Sequence, residues 1–248
     1  MKYIFANWKM YLDFDETLIL ANALLREKIE LTDAELAIFP SNLAVREVSM
    51  SLGASSIAVG AQNSGYPEKG AYTGLVSAQM FAKVGCKYSL VGHSERRYIF
   101  GETNEDVRKK IEICFDAGLI PVLCIGETEK DVKEDKREYR LKKQIMAVFD
   151  NLNLDNNDII IVYEPVWAIG TGKNCDFTKA EEVHAMIKQE LKNYTKKEIS
   201  VIYGGSVNDK NVKSYISLKN VDGVLVGGAS TKLETFLPII KEVQSLSN

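Results

Sequence analysis

Three side chains that could take part in proton transfer lie shortly after apolar runs of this sequence. Glu164 directly follows one run, His93 lies two residues beyond another, and Lys9 comes soon after the first run of the chain. Burial at the end of a strand raises the pKa of a carboxylate toward the range in which it can act as a general base. With a histidine and a cation nearby, such a base suffices for proton transfer on a negatively charged substrate.

Each of these residues also has a purely structural interpretation. Glu164 could be a solvated loop glutamate, His93 a hydrogen-bonded structural histidine, and Lys9 an ordinary exposed lysine. The second of the two histidines, His184, lies inside a charged helical pattern and is predicted to be structural. A site therefore requires that the fold bring Glu164, His93 and Lys9 together.

Two glycine turns add a candidate phosphate site. Gly204-Gly205-Ser206 and Gly227-Gly228 follow two consecutive late apolar runs. Glycine lets backbone N–H groups approach an anion closely, and a helix N-terminus behind the turn would favour negative charge. Either pair alone could be a tight turn, but two pairs at these positions favour phosphate binding.

The segment Pro165–Lys173 places apolar residues in a connection between elements. It has a proline at one end and glycines at Gly170 and Gly172. This composition is expected of a lid that closes over a site and excludes water. A loop packed on the core is the alternative.

Eight short apolar runs predict the strands that position these groups. They are Tyr3–Ala6, Leu36–Phe39, Ile57–Gly60, Tyr88–Val91, Ile120–Ile125, Ile159–Tyr163, Ser200–Tyr203 and Gly223–Val226. Most are nearly continuous apolar segments, as in parallel strands buried on both faces. Stretches of helical length lie between them, among them Asn104–Ala117, Asp135–Phe149 and Lys179–Asn193. The alternation predicts a parallel sheet whose strands carry chemistry at their carboxyl ends.

The length of 248 residues and the lack of a linker favour a single domain over residues 1–248. We expect an α/β fold, a single closed (β/α)8 barrel of eight parallel strands surrounded by helices. An open doubly wound sheet is the alternative, but the sequence has neither of the glycine-rich nucleotide motifs that would support it. Capping boxes are predicted at Thr178–Glu181 and Thr231–Glu234, where two helices would start.

Composition excludes several classes of function. The net charge is −3 without a basic stripe, which argues against a nucleic-acid partner. The mixed-sign stretch Glu127–Lys143 is predicted to be a solvated helix face. No apolar run is long enough to span a membrane, and the N-terminal one is too short for a secretory signal. The four cysteines show neither CxxC nor metal-ligand spacing, so we expect buried free thiols in a cytoplasmic protein.

Several motifs, taken together, resemble those of the triosephosphate isomerase family. The matching blocks are NWKM at Asn7–Met10, GAQN at Gly60–Asn63, GAYTG at Gly70–Gly74, GHSERR at Gly92–Arg97, YEPVWAIGTGK at Tyr163–Lys173, YGGSV at Tyr203–Val207 and DGVLVGGAS at Asp222–Ser230. They occur in the family's order and span nearly the whole chain. The resemblance implies a TIM barrel that interconverts dihydroxyacetone phosphate and D-glyceraldehyde 3-phosphate in glycolysis and gluconeogenesis. It implies no cofactor and no metal.

The resemblance also implies roles for the matching residues. Glu164 would carry the proton between C1 and C2, and a neutral His93 would polarise the carbonyl group. Lys9 and Asn7 would stabilise the enediolate, with Glu95 organising the site behind the histidine.

The phosphate of this small three-carbon sugar would be held by backbone amides. The resemblance assigns them to Gly170, Ser206, Gly227 and Gly228. Closure of the lid would prevent the enediolate from expelling phosphate.

Two departures from the family's pattern stand out. Tyr11-Leu12 replaces the common Asn-Gly after NWKM, which we expect to affect the start of the first helix and not the site. Leu75 replaces a glutamate that in family members pairs with the arginine matching Arg96 across a dimer interface. We still expect a homodimer, with the loop around Thr73 reaching the partner's Lys9 and the partner's Glu95 and with an apolar contact at Leu75.

Two other functions remain open on the residues alone. Lys9 at a strand end could form a Schiff base, as in a lysine-dependent aldolase on the same kind of barrel. The chain could instead be a sugar-phosphate-binding module without catalysis, although such a module has no use for a strand-end glutamate opposite a histidine.

Overall fold

Eight parallel strands close into one barrel in the computed structural model, which describes residues 1–170 and 174–245. The strands are β1 (Lys2–Asn7), β2 (Ala34–Phe39), β3 (Ile57–Ala61), β4 (Tyr88–Val91), β5 (Ile120–Ile125), β6 (Ile160–Tyr163), β7 (Ser200–Tyr203) and β8 (Gly223–Val226). Every predicted strand is confirmed to within two residues at each end. The closed (β/α)8 barrel is confirmed, and the open sheet is wrong because β8 pairs with β1.

Closure of the barrel depends on a close approach between its first and last strands. The β8–β1 ladder runs from the Tyr3–Gly223 pair to the Ala6–Val226 pair. A Cβ atom at Gly223 would lie 2.2 Å from the carbonyl oxygen of Tyr3. Only glycine fits at this position, so one missing side chain allows the sheet to close.

Helices surround the barrel. Those in the described ranges are α1 (Phe14–Arg26), α2 (Val45–Leu52), α3 (Ala78–Lys83), α4 (Ser94–Tyr98), α5 (Asn104–Asp116), α6 (Glu129–Lys133), α7 (Arg137–Phe149), α8 (Phe177–Leu191), α9 (Val212–Ile216) and α10 (Leu233–Gln244). The three predicted helical stretches correspond to α5, α7 and α8. Short turns of 3₁₀ helix follow β6 at Val166–Ala168 and β8 at Gly228–Ser230.

Both predicted capping boxes are wrong. The N-cap of α8 is Asp176, whose side chain accepts from the amide of Lys179, so Thr178 already lies inside the helix. The α10 helix has no side-chain cap, and the hydroxyl of Thr231 donates to the carbonyl of Gly228. The N-caps thus lie two residues before Thr178 and one residue after Thr231.

Capping boxes do occur elsewhere, at three other helix starts. They join Asp13 to Glu16, Thr103 to Asp106 and Thr128 to Asp131. Two of the three use aspartate as the third helical residue, whereas the common pattern has glutamate or glutamine there.

Aromatic side chains fill the interior of the barrel. The ring of Phe5 lies 5.5 Å from that of Phe39 and 4.9 Å from that of Tyr88, measured between centroids. Alternate residues of the same strands, such as Ile4 and Ile161, pack outward against the helices. Since both faces of each strand are buried, the apolar runs are continuous rather than alternating.

The four cysteines are buried and free, as predicted. Burial raises the pKa of the Cys114 and Cys175 thiols to about 11 and that of Cys86 to about 12. Over the described ranges, no helix is long and apolar enough to cross a membrane.

His184 is a fully buried structural histidine, in agreement with the sequence prediction. Its Nδ1 lies 2.7 Å from the carbonyl oxygen of Ala180, and the edge of its ring meets that of Tyr163 at 5.5 Å. Desolvation lowers the pKa of His184 to about 4, so the ring is neutral in the folded protein at pH 7.

We predict that the free energy of unfolding falls as the pH is lowered through the window between 6.5 and 4. The unfolded chain takes up the His184 proton near pH 6.5 and the folded protein does so only near pH 4, so acid favours unfolding by about 2–3 kcal/mol. Urea denaturation at fixed protein concentration should show this loss, and H184Q should flatten it. An equally steep dependence in H184Q would contradict the assignment.

Candidate active site

A cavity of about 190 Å³ opens at the carboxyl ends of the barrel strands. Its lining includes eight of the nine residues predicted for the site, namely Asn7, Lys9, His93, Glu164, Gly170, Ser206, Gly227 and Gly228. The ninth, Glu95, does not line the cavity but pairs with Lys9. The fold therefore brings together groups that are as far apart in the sequence as Asn7 and Gly228.

Glu164 is buried at the end of β6, with only 2% of its surface exposed. Its backbone amide continues the ladder to Ile125, and its Oε2 accepts from the amide of Ser94 at 2.9 Å. The other oxygen, Oε1, accepts no hydrogen bond from the described residues, although the Nε2 of His93 lies 3.1 Å away. A buried carboxylate oxygen without a donor is costly, and it is free to accept a proton.

His93 is held in one tautomer by the helix that follows it. It is the N-cap of α4, and its Nδ1 accepts from the backbone amide of Glu95 at 3.2 Å. An accepting Nδ1 carries no proton, so the ring is neutral and its proton lies on Nε2, on the side of Glu164. The side chain can therefore donate a hydrogen bond into the cavity.

Lys9 has a left-handed backbone, with φ of 51°, which is uncommon outside glycine. Its amide donates to the side-chain oxygen of Asn7 at 3.1 Å, which helps to hold this conformation. The ammonium group lies 2.7 Å from Oε1 of Glu95, and a Cβ atom at Gly227 would lie 3.9 Å from Nζ. The cation therefore faces the second glycine turn.

The first glycine turn is tightly packed. A Cβ atom at Gly205 would lie 2.1 Å from the hydroxyl oxygen of Tyr203, so a larger residue cannot follow β7 here. The Oγ of Ser206 donates to the carbonyl of Ala168 at 2.7 Å, which ties this turn to the segment after β6. The predicted helix N-terminus is not directly behind the turn, because α9 starts only at Val212.

The first part of the predicted lid lies beside the cavity. Ala168 is buried, and Gly170 is exposed, lines the cavity and has a φ of 68°. The last three residues of the segment, 171–173, lie outside the described residues. Within the described part of the segment, Pro165 to Gly170, Ala168 is packed on the protein and Gly170 lies at the cavity.

Glu127 is a site-adjacent residue that the sequence interpretation missed. The predicted solvated face of Glu127–Lys143 is wrong here, since Glu127 is completely buried. Its Oε1 accepts from Tyr163, Trp167 and Arg137 at 2.9–3.0 Å. Its position two residues after β5, another strand end, was the available signal.

Asp131 is a second exception within the same stretch. It is also buried, and it pairs with Arg140 at 3.0 Å.

Tyr11 lines the cavity, contrary to the expectation that the change after NWKM would not affect the site. Its side chain is 62% exposed and lies two residues beyond Lys9. The chain turns at Lys9, whose backbone is left-handed, and Tyr11 lies at the mouth of the barrel. The order of residues in the sequence does not reveal such a turn.

Within the described part of the chain, no group of three or more histidine, cysteine, aspartate or glutamate side chains is placed to hold a metal ion. The polar groups of the cavity are one carboxylate, one imidazole, one ammonium group, one amide side chain, the hydroxyl groups of Tyr11 and Ser206, and the backbone of two glycine turns. This set can move a proton on a bound anion.

Comparison with known proteins gives consistent matches. Residues 2–243 match the family model described as Triosephosphate isomerase. Relatives named Triosephosphate isomerase include proteins of Francisella tularensis subsp. mediasiatica and Dehalococcoides mccartyi, each 39% identical over 99% of this chain, with 98% and 97% of the relative covered. A protein of the same name from Dictyoglomus thermophilum is 40% identical over 97% of this chain and 98% of its own length.

We predict that E127Q destabilises the protein by about 1–3 kcal/mol, because it removes the buried charge that pairs with Arg137 and adds a buried NH2 group in its place. The matched variant W167F removes one donor but keeps the ion pair, so its cost should be about 1 kcal/mol or less. Urea denaturation of both variants measures the difference. Equal stability of E127Q and the wild type would contradict this account of the cluster.

Proposed function

Since the chain belongs to the triosephosphate isomerase family, we propose that the cavity at the mouth of the barrel is its active site. The protein is an aldose–ketose isomerase that interconverts dihydroxyacetone phosphate and D-glyceraldehyde 3-phosphate, a reaction of glycolysis. The observation that best supports the assignment of residues is the buried, unpartnered Oε1 of Glu164 facing Nε2 of His93.

Glu164 is the base of the proposed mechanism. Its Oε1 removes a proton from C1 of the ketose, and the electrons of the C–H bond form the enediolate. The Nε2–H of His93 donates to the substrate oxygen on which negative charge develops. His93 gives its Nε2 proton to O2 and takes up the proton of the O1 hydroxyl. Glu164 returns its own proton to C2 as the C1=O1 bond forms, so that the protein ends the cycle unchanged.

Lys9 and Asn7 stabilise the enediolate, and Glu95 positions Lys9 and His93. The carboxylate of Glu95 holds the ammonium group at 2.7 Å, while its backbone amide fixes the tautomer of His93. A preorganised cation and donor stabilise the developing charge without rearranging when it forms.

We assign the phosphate to the backbone amides of Gly170, Ser206, Gly227 and Gly228. All four residues line the same cavity, and Lys9 faces Gly227 across it. The hydrogen bond from Ser206 to Ala168 links this phosphate site to the proposed lid.

The alternative functions are not favoured. The ammonium group of Lys9 is engaged by Glu95, whereas a Schiff-base lysine must present a free amine to its carbonyl substrate. A module that only binds sugar phosphates does not account for Glu164, since an anionic ligand gains nothing from a buried carboxylate.

We predict that E164Q lowers turnover by about 10²–10⁴-fold while binding of inorganic phosphate is largely retained, because the amide cannot accept the substrate proton. A coupled isomerase assay and a phosphate titration measure the two effects. The control E105Q changes an exposed carboxylate on α5 and should leave turnover unchanged. Unchanged turnover in E164Q would overturn the mechanism.

We also propose a homodimer. Leu75 and Tyr72 are half exposed on the loop around Thr73, and a cavity of about 320 Å³ beside Lys9 and Glu95 would receive this loop from the partner. Arg96 pairs within its own chain, at 3.4 Å from Glu102, so the proposed contact at Leu75 does not depend on a charge from the partner.

We further propose that residues 1–248 form one domain, which is supported by strands from Lys2 to Val226 in a single barrel. A cytoplasmic location is supported by the buried free cysteines, which suit a reducing compartment.

We predict that L75R weakens the dimer at least roughly tenfold, because it puts a second cation near the partner's Arg96. The control M146R changes a residue of α7 with similar exposure, 52% against 50%, and should leave association unchanged. Size-exclusion chromatography with light scattering over a dilution series measures both. A fully active wild-type monomer would contradict the dimer.

A further inference from the structure

A second concave surface lies at the opposite end of the barrel from the active site. It has a volume of about 870 Å³, and we name it the lysine cleft. It is lined by Ala185, Lys188, Gln189, Leu191, Lys192, Thr195, Lys196, Lys197, Glu198, Ile199, Ser200, Lys219, Asn220 and Asp222. Five of these residues are lysines and two are acidic, although the whole chain has a net charge of −3.

Three of the five lysines have no partner of opposite charge among the described residues. Lys188 is neutralised by Asp222 at 2.8 Å, and Lys197 lies 3.7 Å from Asp158. Lys192, Lys196 and Lys219 make no ion pair with any residue in the ranges 1–170 and 174–245. Unpaired cations that share one concave surface raise the local positive potential and attract anions.

Stabilisation of a helix end accounts for only part of this charge. Lys188 and Lys192 lie at the end of α8, where cations interact favourably with the helix dipole. Lys196 lies in the connection to β7, and Lys219 comes from the connection between α9 and β8. The cations thus come from separate segments that meet at the cleft.

We propose that the lysine cleft binds a nucleoside polyphosphate. The three ammonium groups come from separate segments around the cleft, which suits a ligand whose negative charges are spread along a chain of phosphates. The volume lies within the range of small-molecule sites, and it leaves room for a nucleoside beside the phosphates. Leu191 and Ile199 line the cleft but are only 3% and 8% exposed, so the aliphatic stems of the lysines provide most of the apolar surface for the base, with Gln189 as a hydrogen-bonding group.

The lysine cleft is separate from the isomerase site. Ser200, the first residue of β7, lines the cleft, while Gly204, just after the last residue of that strand, lines the active-site cavity. At about 3.3 Å per residue, the two positions are roughly 13 Å apart along the strand. Substitution of the cleft lysines should therefore leave isomerase turnover unchanged.

Isothermal titration calorimetry on the full-length protein, with ATP in EDTA at low ionic strength, tests this site. We expect ATP to bind the wild type more tightly than inorganic tripolyphosphate or adenosine. The triple variant K192Q/K196Q/K219Q should lose roughly tenfold or more in ATP affinity. The matched control K83Q/K143Q/K241Q removes three exposed lysines that do not line the cleft and should keep the wild-type affinity.

Three results would overturn the proposal. Equal loss of ATP binding in both triple variants would indicate a general charge effect. Tripolyphosphate binding as tightly as ATP would exclude recognition of the nucleoside. ATP that competes with triose phosphate to the same extent in the wild type and the cleft variant would be bound in the active site.

Discussion

The pairing of β8 with β1 is the constraint on which the rest of the molecule depends. Residues that are close to opposite ends of the sequence share a cavity only because the parallel strands form a closed ring, with all carboxyl ends at one rim. In an open sheet β8 and β1 would not pair, so the turn after β8 would not lie beside Lys9, which follows β1. The absence of a side chain at Gly223 allows β8 to approach β1. A residue far from the cavity is therefore required for the cavity to form.

The sequence predicted the strands well, and the fold brings eight of the nine predicted site residues to one cavity. The reason is physical. Each strand is buried on both faces, so its residues form a continuous apolar run that ends where the chain reaches the rim. A polar residue just after such a run, such as Glu164, is therefore placed by the fold as well as by the motif. Glu127 follows the same rule after β5, although the charges around it obscured the signal.

Properties that depend on three-dimensional contacts could not be predicted from the residues themselves. The tautomer of His93 is set by the amide of Glu95, and the unpartnered oxygen of Glu164 is left by its single bond to Ser94. The helix starts could not be predicted either. Thr178 matches the capping-box pattern, but the side chain of Asp176 makes the capping hydrogen bond. Tyr11 lines the cavity two residues after Lys9, whose left-handed backbone is a conformation that no periodicity encodes.

The aromatic packing inside the barrel has a consequence for molecular traffic. The rings of Phe5, Phe39 and Tyr88 pack against one another inside the barrel, so side chains fill the space beneath the cavity at its mouth. Ketose and aldose therefore enter and leave through the same opening at the rim of the barrel. A product must leave through it before the next substrate can bind. Any segment that covers the rim therefore limits the entry of substrate and the release of product in both directions of the reaction.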